Sequence, residues 1–148
     1  MERQTLETFG AAETFALGEK IGRGAAPGDI YCLEGDLGAG KTVLAQGIAA
    51  GLGITEPVNS PTFTVLQVYE DGRLPLYHFD AYRLEEPEEL YEIGAEEYFF
   101  GQGVSVIEWP SQIEELIPET AVWVCLEKDL GRGTEYRRVT ICRSEGEA

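Results

Sequence analysis

The sequence has little of what a zinc site, a disulfide framework or a membrane span requires. Its 148 residues include one histidine and three cysteines, and no two cysteines have C-x-x-C spacing. A zinc site built on several histidines is excluded, and cysteines that lie in apolar runs favour buried, reduced thiols. No apolar stretch approaches the ~20 residues of a membrane helix, and the first residues lack the apolar segment of a signal peptide. We therefore expect a cytoplasmic protein without a membrane partner.

Positive charge is also scarce. Eleven Lys and Arg stand against 27 Asp and Glu, which gives a formal net charge of −16. A surface this negative repels phosphate backbones, so we do not expect tight binding to nucleic acid by this chain alone. The acidity serves either solubility alone or docking to a protein partner. The length suits one domain over residues 1–148, and we expect residues 144–148 to form a disordered tail.

One motif dominates the sequence. The segment G-D-L-G-A-G-K-T matches the phosphate-binding loop pattern G-x-x-x-x-G-K-[ST] at every position. Glycines let backbone amides curl around a polyphosphate, the lysine ammonium reaches the outer phosphates, and the threonine hydroxyl can bind Mg²⁺. The motif residues are Gly35, Asp36, Leu37, Gly38, Ala39, Gly40, Lys41 and Thr42.

The flanking segments support this interpretation. Residues 30–33 form an apolar run typical of a buried strand, and Leu44, Ile48 and Leu52 recur at helical spacing. The helix would add its positive N-terminal end to the loop. A chance glycine-rich turn is the alternative, and the strand-loop-helix context counts against it.

Elsewhere, strand and helix patterns alternate. Strands are expected over 63–69, 74–84, 104–107, 122–126 and 138–142, with turns at 70–73 and 131–133. Helices are expected over 10–22, from Pro87 onward and over 113–117. Because two hairpins interrupt the alternation, the sequence predicts a three-layer α/β fold of the P-loop NTPase type with a mixed, mostly parallel central sheet.

Acids close two of the predicted strands. Asp80 ends the run L-Y-H-F-D and Glu108 ends V-S-V-I-E. An enzyme with a phosphate loop needs an acid near that loop to organise Mg²⁺ and water, although strands also end in acids where the chain leaves the core. We expect at least one of the two near the metal, and the sequence does not decide which ligates it. Trp109 either covers the nucleotide or belongs to the core.

Two further features bear on the nucleotide. Thr62 and Thr64 lie in the polar stretch after the helix that follows the phosphate-binding loop. In many nucleotide switches this stretch carries a hydroxyl that senses the outer phosphate. The alternative is that both are ordinary turn threonines. Guanine-specific proteins carry an N-K-x-D element, and the nearest segment, 127–129, reads E-K-D. ATP is therefore favoured over GTP.

Four motifs in order carry a resemblance to a known family. They are the glycine loop, S-P-T-F-T at 60–64, H-F-D-A-Y-R-L at 78–84 and I-E-W-P at 107–110. Together they resemble the TsaE (YjeE) family of small bacterial P-loop ATPases of tRNA threonylcarbamoyladenosine biosynthesis. Many NTPases share the glycine loop, whereas the other three motifs are far more specific. The resemblance covers nearly the whole chain.

The resemblance implies ATP and Mg²⁺ as cofactors and the TsaB and TsaD proteins as partners. TsaD is the transferase that modifies the adenosine beside the anticodon, and ATP hydrolysis by the small ATPase is thought to reset the partner complex. Contact with tRNA would then be indirect, through that complex.

The resemblance also implies residue roles. Thr42 and Glu108 match the Mg²⁺ residues, and Asp80 matches the acid near the metal and the attacking water. Lys41, Asp80 and Glu108 are thus the candidate catalytic residues. Residues near the nucleotide in addition to the loop are Thr14, Thr62 in a switch-like segment, Trp109 and Arg132, which lies in a segment of variable length.

Three functions stay open at this stage. The first is a Mg²⁺-dependent ATPase that drives a partner cycle. The second is a nucleotide-gated binding module in which hydrolysis is incidental. The third is a small-molecule kinase, a class that usually carries an arginine-rich lid; here the arginines are scattered apart from Arg137 and Arg138. Arg83 is a candidate arginine finger, and we expect slow hydrolysis that rises in the complex.

Overall fold

A seven-stranded sheet forms the centre of the computed structural model, which describes residues 2–36, 38–59, 61, 65–82, 84, 86 and 88–143. The strands in these residues are β1 (Glu2–Thr8), β2 (Ile30–Glu34), β3 (Leu66–Tyr69), β4 (Leu76–Asp80), β5 (Val104–Glu108), β6 (Val122–Lys128) and β7 (Arg137–Arg143). The α-helices are α1 (Ala11–Gly24), α2 (Lys41–Gly51), α3 (Glu88–Glu92) and α4 (Ala95–Phe99). Two 3-10 helices span Pro110–Leu116 and Leu130–Arg132. The predicted disordered tail, 144–148, lies outside the described residues.

The sheet is mixed, as the sequence predicts. Its strand order is β1-β7-β6-β2-β5-β4-β3, and the four central strands β6, β2, β5 and β4 are parallel. β7 runs antiparallel to both β6 and β1, and β3 runs antiparallel to β4. The carboxyl ends of the parallel strands therefore meet at one edge, where ligands bind in sheets of this kind.

Helices cover both faces of the sheet, which confirms the predicted three layers. On β2, Tyr31 and Leu33 pack into the cluster that includes residues of α1 and α2. Ile30 and Cys32 alternate with them and join the opposite cluster, which includes residues of α3, α4 and the longer 3-10 helix. A strand buried on both faces explains why β2 reads as an unbroken apolar run. None of the helices in the described residues has the length and apolar character needed to span a bilayer.

Helices α1 and α2 touch through their backbones. A Cβ added at Gly22 would lie 2.2 Å from the carbonyl oxygen of Ile48, and one added at Gly47 would lie 2.3 Å from that of Phe15. Residues four apart share a helix face, and each helix presents two glycines with this spacing. The contact residues are Gly18, Gly22, Gly47 and Gly51. Any side chain at this crossing would push the helices apart.

The tip of the β3–β4 hairpin holds the far ends of the same two helices. The Arg73 guanidinium donates hydrogen bonds to the carbonyl oxygens of Gly22 at 2.8 Å and Ala25 at 3.0 Å. The backbone N–H of Arg73 donates to the Leu52 carbonyl just after α2. The last carbonyls of a helix have no partner within the helix, so one arginine on a turn satisfies several of them. The predicted turn at 70–73 is thereby confirmed.

Several element boundaries differ from the sequence prediction. Of the strand expected over 63–69, residues 66–69 form β3, and Val65 before it has a left-handed backbone with φ of 69°; residues 63 and 64 lie outside the described residues. The strand expected over 74–84 is limited to Leu76–Asp80. The helix expected over 113–117 is a 3-10 helix that begins earlier, at Pro110. Strand β1 was not predicted from the sequence. Four of the first five residues of β1 are polar and exposed, so they give no apolar alternation.

The cysteines also depart in part from the expectation. All three are free thiols, as predicted, but only Cys32 is buried; Cys125 and Cys142 are half-buried. Both alternate with the buried residues of their strands, such as Val124 on β6 and Ile141 on β7, and so lie on the opposite face of the sheet from them. Burial raises the pKa of the Cys32 thiol well above its usual range, so this group stays protonated and acts as a small apolar side chain.

We expect Gly47→Ala to lower the free energy of unfolding by about 1–3 kcal/mol, because the new methyl group would overlap the backbone of α1. Urea denaturation measures this change. Gly24→Ala is the matched control: it lies in α1 with no atom within 4 Å of an added Cβ, and removing a glycine there stabilises by at most about 1 kcal/mol. Equal losses in the two variants would show that the helix contact is not a constraint.

Candidate functional site

The phosphate-binding motif forms the turn between β2 and α2, at the carboxyl edge of the sheet. Gly40 caps α2 with a left-handed backbone, φ of 105°, a conformation that favours glycine. Gly35 has φ of 153°, and a Cβ added there would lie 2.7 Å from the Leu126 carbonyl oxygen. Gly35 is thus packed too closely for a side chain, and Gly40 has a backbone conformation that side chains disfavour. Its backbone leads directly into the N-terminus of an eleven-residue helix, which is an anion-binding arrangement. Leu37 lies outside the described residues.

Lys41 folds back over this loop. Its buried ammonium donates hydrogen bonds to the backbone carbonyls of Gly35 and, at 3.1 Å, Asp36. Nζ also lies 3.8 Å from the centroid of the Trp109 ring. Burial lowers the pKa of Lys41, and the negative charge of Glu108 is the largest opposing influence. The direct partners of the ammonium are neutral, so an anionic phosphate would bind it more strongly than they do.

Three oxygen-bearing side chains meet beside the loop. The Thr42 hydroxyl donates to Glu108 Oε1 at 3.4 Å. Asp80 and Glu108 are opposite each other in the β4–β5 register, and both are buried. Asp80 Oδ1 accepts a hydrogen bond from the Tyr82 N–H at 2.9 Å. The structure therefore brings Asp80 and Glu108, from two distant segments of the sequence, to the loop that carries Lys41 and Thr42.

This donor set fits Mg²⁺. Carboxylate and hydroxyl oxygens are hard ligands, and Mg²⁺ in phosphate-transfer sites takes one or two carboxylates and completes its shell with phosphate and water oxygens. No group of three or more His, Cys, Asp or Glu side chains in the described part of the chain could hold a metal ion by itself. Thr42 and Glu108 could thus hold a metal that a bound nucleotide also ligates.

Sequence reasoning missed the partner of Glu108. His78 Nε2 lies 2.6 Å from Glu108 Oε2, and both side chains are buried. Because a carboxylate only accepts, Nε2 carries the hydrogen in this pair; His78 Nδ1 has no hydrogen-bond partner among the residues that the structure describes. The two Glu108 oxygens are divided, one toward His78 and one toward Thr42. The available signal was spacing: His78 and Asp80 alternate on one strand and share a sheet face.

Trp109 belongs to the core, and its contact with the nucleotide stays a prediction. It packs against the core cluster on the α3–α4 side and covers the Lys41 ammonium. Its ring lies 4.8 Å from that of Tyr82. The backbone of Trp109 is left-handed, with φ of 60° and ψ of 49°, which is rare for a residue with a side chain and is typical of functional sites.

A cavity of about 130 Å³ lies beside the loop. The first turn of α1 and residues 38–40 line it, together with Glu135 and Arg137. Thr14 is among the lining residues, and its hydroxyl is hydrogen-bonded to that of Thr8 at 2.8 Å. Arg132 is held differently: its guanidinium pairs with Glu7 at 3.1 Å and stacks on Tyr136, 4.7 Å from the ring centroid.

The structure does not describe every residue predicted for the site. Outside the described residues lie Thr62, Arg83 and the greater part of the segment 60–64. Their assignments as a phosphate sensor, an arginine finger and a switch-like loop stay predictions.

We expect His78→Leu to lower the free energy of unfolding by about 1–3 kcal/mol, because a buried carboxylate oxygen would lose its donor. His78→Gln is the matched control, since a side-chain amide can still donate to Glu108. Urea denaturation of both variants without nucleotide measures the effect. If leucine were tolerated as well as glutamine, the His78–Glu108 hydrogen bond would contribute nothing to stability.

Comparisons with known proteins agree with the motifs. A family model, "Threonylcarbamoyl adenosine biosynthesis protein TsaE", matches residues 9–138. The chain is 45% identical over 141 residues to a tRNA threonylcarbamoyladenosine biosynthesis protein TsaE of Bacillus subtilis (strain 168), covering 95% of this chain and 86% of the relative. It is 47% identical over 116 residues to the protein of that name from Treponema pallidum (strain Nichols), covering 78% and 85%.

A solved structure extends the likeness to the fold. The crystal structure of Bacillus subtilis YdiB superimposes with a TM-score of 0.82 at 39% sequence identity, covering 96% of this chain and 86% of that one. The sheet topology and the phosphate loop described above are those of a P-loop NTPase. The chain belongs to the TsaE family of threonylcarbamoyl adenosine biosynthesis proteins.

Proposed function

We propose that this chain is a Mg²⁺-dependent ATPase that supports threonylcarbamoyladenosine modification of tRNA by resetting a complex of the TsaB and TsaD proteins. The observation that carries the proposal is the meeting of Lys41, Thr42 and Glu108 at the phosphate loop, with a Thr42–Glu108 distance of 3.4 Å. Family membership supplies the pathway. The proposed cellular location is the cytoplasm, and residues 1–148 act as one unit.

Each residue has a role that its contacts support. The loop amides and Lys41 bind the β- and γ-phosphates, and Thr42 and Glu108 Oε1 hold the metal. Mg²⁺, when bound, neutralises charge on the phosphate oxygens. Glu108 is the direct ligand in this proposal because one of its oxygens faces Thr42 while His78 occupies the other. Asp80, on the neighbouring strand, orients the attacking water.

The cavity beside the loop suits the nucleoside part of ATP. It adjoins residues 38–40, so a ligand whose phosphates occupy the loop would extend toward Thr14. Trp109 closes the other side of Lys41. Arg132 contributes to the nucleotide surroundings in this proposal, although in the structure it pairs with Glu7. Thr62 is proposed to sense the γ-phosphate and Arg83 to be the candidate finger.

The first test is phosphate release from Mg·ATP, with and without the TsaB–TsaD pair. We expect slow hydrolysis by the chain alone and strong stimulation by the pair. Lys41→Ala should abolish it through lost phosphate binding. Asp80→Asn and Glu108→Gln should still bind nucleotide but hydrolyse it at least about a hundred times more slowly. Asp80→Asn loses the group that orients the attacking water, and general acid-base groups contribute about 10²–10⁴-fold. Glu108→Gln loses a charged ligand of the metal.

Two outcomes would contradict this function. If Asp80→Asn and Glu108→Gln supported repeated turnovers of the partner complex, hydrolysis would be incidental and the chain would be a nucleotide-gated module. Transfer of the γ-phosphate to an added metabolite would instead identify a kinase.

The charge generates a separate prediction about tRNA. With a net charge of −16, the chain alone should not retain labelled tRNA on a filter at physiological salt, because binding to phosphate backbones depends on cationic side chains. The same assay with TsaB and TsaD present is the positive control. Tight retention by the isolated chain would mean that its contact with tRNA is direct.

A further inference from the structure

Arg137 reaches from β7 to the outside of the phosphate-binding loop. Its Nε donates a hydrogen bond to the Ala39 carbonyl oxygen at 2.9 Å, and its Nη2 donates to the Gly38 carbonyl oxygen at 3.1 Å. The third nitrogen, Nη1, donates to the carbonyl oxygens of Thr134 at 2.9 Å and Tyr136 at 2.7 Å. The half-buried guanidinium is therefore held on one side by the segment just before β7 and on the other side by the phosphate-binding loop.

The two loop bonds lie on one edge of the guanidinium. Nε–H and one Nη2–H of arginine form a rigid fork that matches two neighbouring acceptors. Here the acceptors are the carbonyls of consecutive peptides, Gly38–Ala39 and Ala39–Gly40. One side chain thus fixes the orientation of two successive peptide planes.

Peptide geometry carries that orientation to the amides. In a trans peptide, the N–H points opposite to the C=O of the same plane. The first plane shows this directly: Gly38 C=O faces Arg137, and Ala39 N–H donates to the Asp36 carbonyl at 3.0 Å. In the second plane, Ala39 C=O faces Arg137, so Gly40 N–H points away from the guanidinium. Gly40 immediately precedes the first residue of α2, where a phosphate would lie.

We propose that Arg137 is a positioning residue that aims the Gly40 amide at the bound phosphate and holds the loop in its anion-binding shape. This inference rests on the proposed nucleotide site. The guanidinium does not reach the phosphates in this role; it acts through the loop backbone. It also places a positive charge beside a loop that lies near the acidic residues Glu108, Glu34 and Asp36, whose negative charges partly oppose the lowering of the Lys41 pKa by burial.

The test compares Arg137→Gln and Arg137→Lys with Arg138→Gln. Arg138 is the matched control because it is the next residue, and among the described residues its guanidinium has a long surface ion pair, 4.0 Å from Asp129. ADP affinity is measured by calorimetry with and without Mg²⁺. We expect both Arg137 variants to bind ADP at least about tenfold more weakly, as for the loss of charged hydrogen bonds, and Arg138→Gln to bind it normally. The loss of ADP affinity should persist without Mg²⁺, because Arg137 positions the backbone amides that bind the phosphate and not the residues that hold the metal.

The Arg137→Lys variant distinguishes the effect of the positive charge from that of the hydrogen-bond geometry. Arg137→Lys keeps the positive charge but lacks the fork, so weak ADP binding by this variant supports positioning of the two peptides. If Arg137→Lys bound ADP as tightly as the unchanged protein, charge alone would suffice and the proposal would be wrong. If Arg137→Gln did so, Arg137 would have no part in binding.

A second readout needs no nucleotide. Amide hydrogen exchange of Ala39, followed by NMR in the free protein, reports the turn that Arg137 braces. We expect faster exchange at Ala39 in both Arg137 variants and an unchanged rate in Arg138→Gln. An unchanged exchange rate in all three variants would show that Arg137 does not hold the loop in its shape. Failure of the unchanged protein to bind either ADP or ATP would instead refute the proposed function, so the two failures are distinguishable.

Discussion

The glycine contact between α1 and α2 determines where the parts of the site lie. Because the two helices meet backbone to backbone at Gly22 and Gly47, the first turn of α1 is held beside the loop that begins α2. Thr14 thereby lies next to Gly40. The strand before α1 is fixed as well, since β1 pairs with β7 along its whole length. One close crossing on one face of the sheet thus relates the N-terminal strand, the loop and the strand that carries Arg137.

The second organising feature is a concentration of charge at one edge of the sheet. Parallel strands bring Asp80 and Glu108 side by side, and the loop brings the Lys41 ammonium to the same place. Buried charges are costly unless they have partners. Here each has one or more: Lys41 has backbone carbonyls and an indole ring, Glu108 has His78 and Thr42, and Asp80 has a backbone N–H. Each charged group at this edge therefore has a partner within the protein, and a phosphate with its metal would replace the weaker of these contacts.

Sequence reasoning located what is encoded locally. The phosphate loop, the strand before it and the helix after it follow from one continuous segment, and acids at the ends of apolar strands are found by reading each strand alone. The contacts of His78 and Arg137 depend on which strands become neighbours in the sheet. His78 and Glu108 are 30 residues apart, and Arg137 is at least 98 residues from the loop carbonyls that it contacts. No local sequence pattern indicates such pairings. β1 escaped detection because its stability comes from pairing with β7 and not from an apolar face. The roles of Leu37, Thr62 and Arg83 stay predictions.

The two edges of the sheet are poorly suited to pairing with a strand of another chain. An exposed edge strand offers unpaired N–H and C=O groups to another chain, and short or charged edges discourage such pairing. One edge here is β3, only four residues long. The other is β1, whose residues Glu2, Arg3 and Glu7 are exposed. Next to β1 in the sheet lies β7, with the buried apolar residues Val139 and Ile141. The polar N-terminal strand therefore keeps an apolar strand from forming the edge of the sheet.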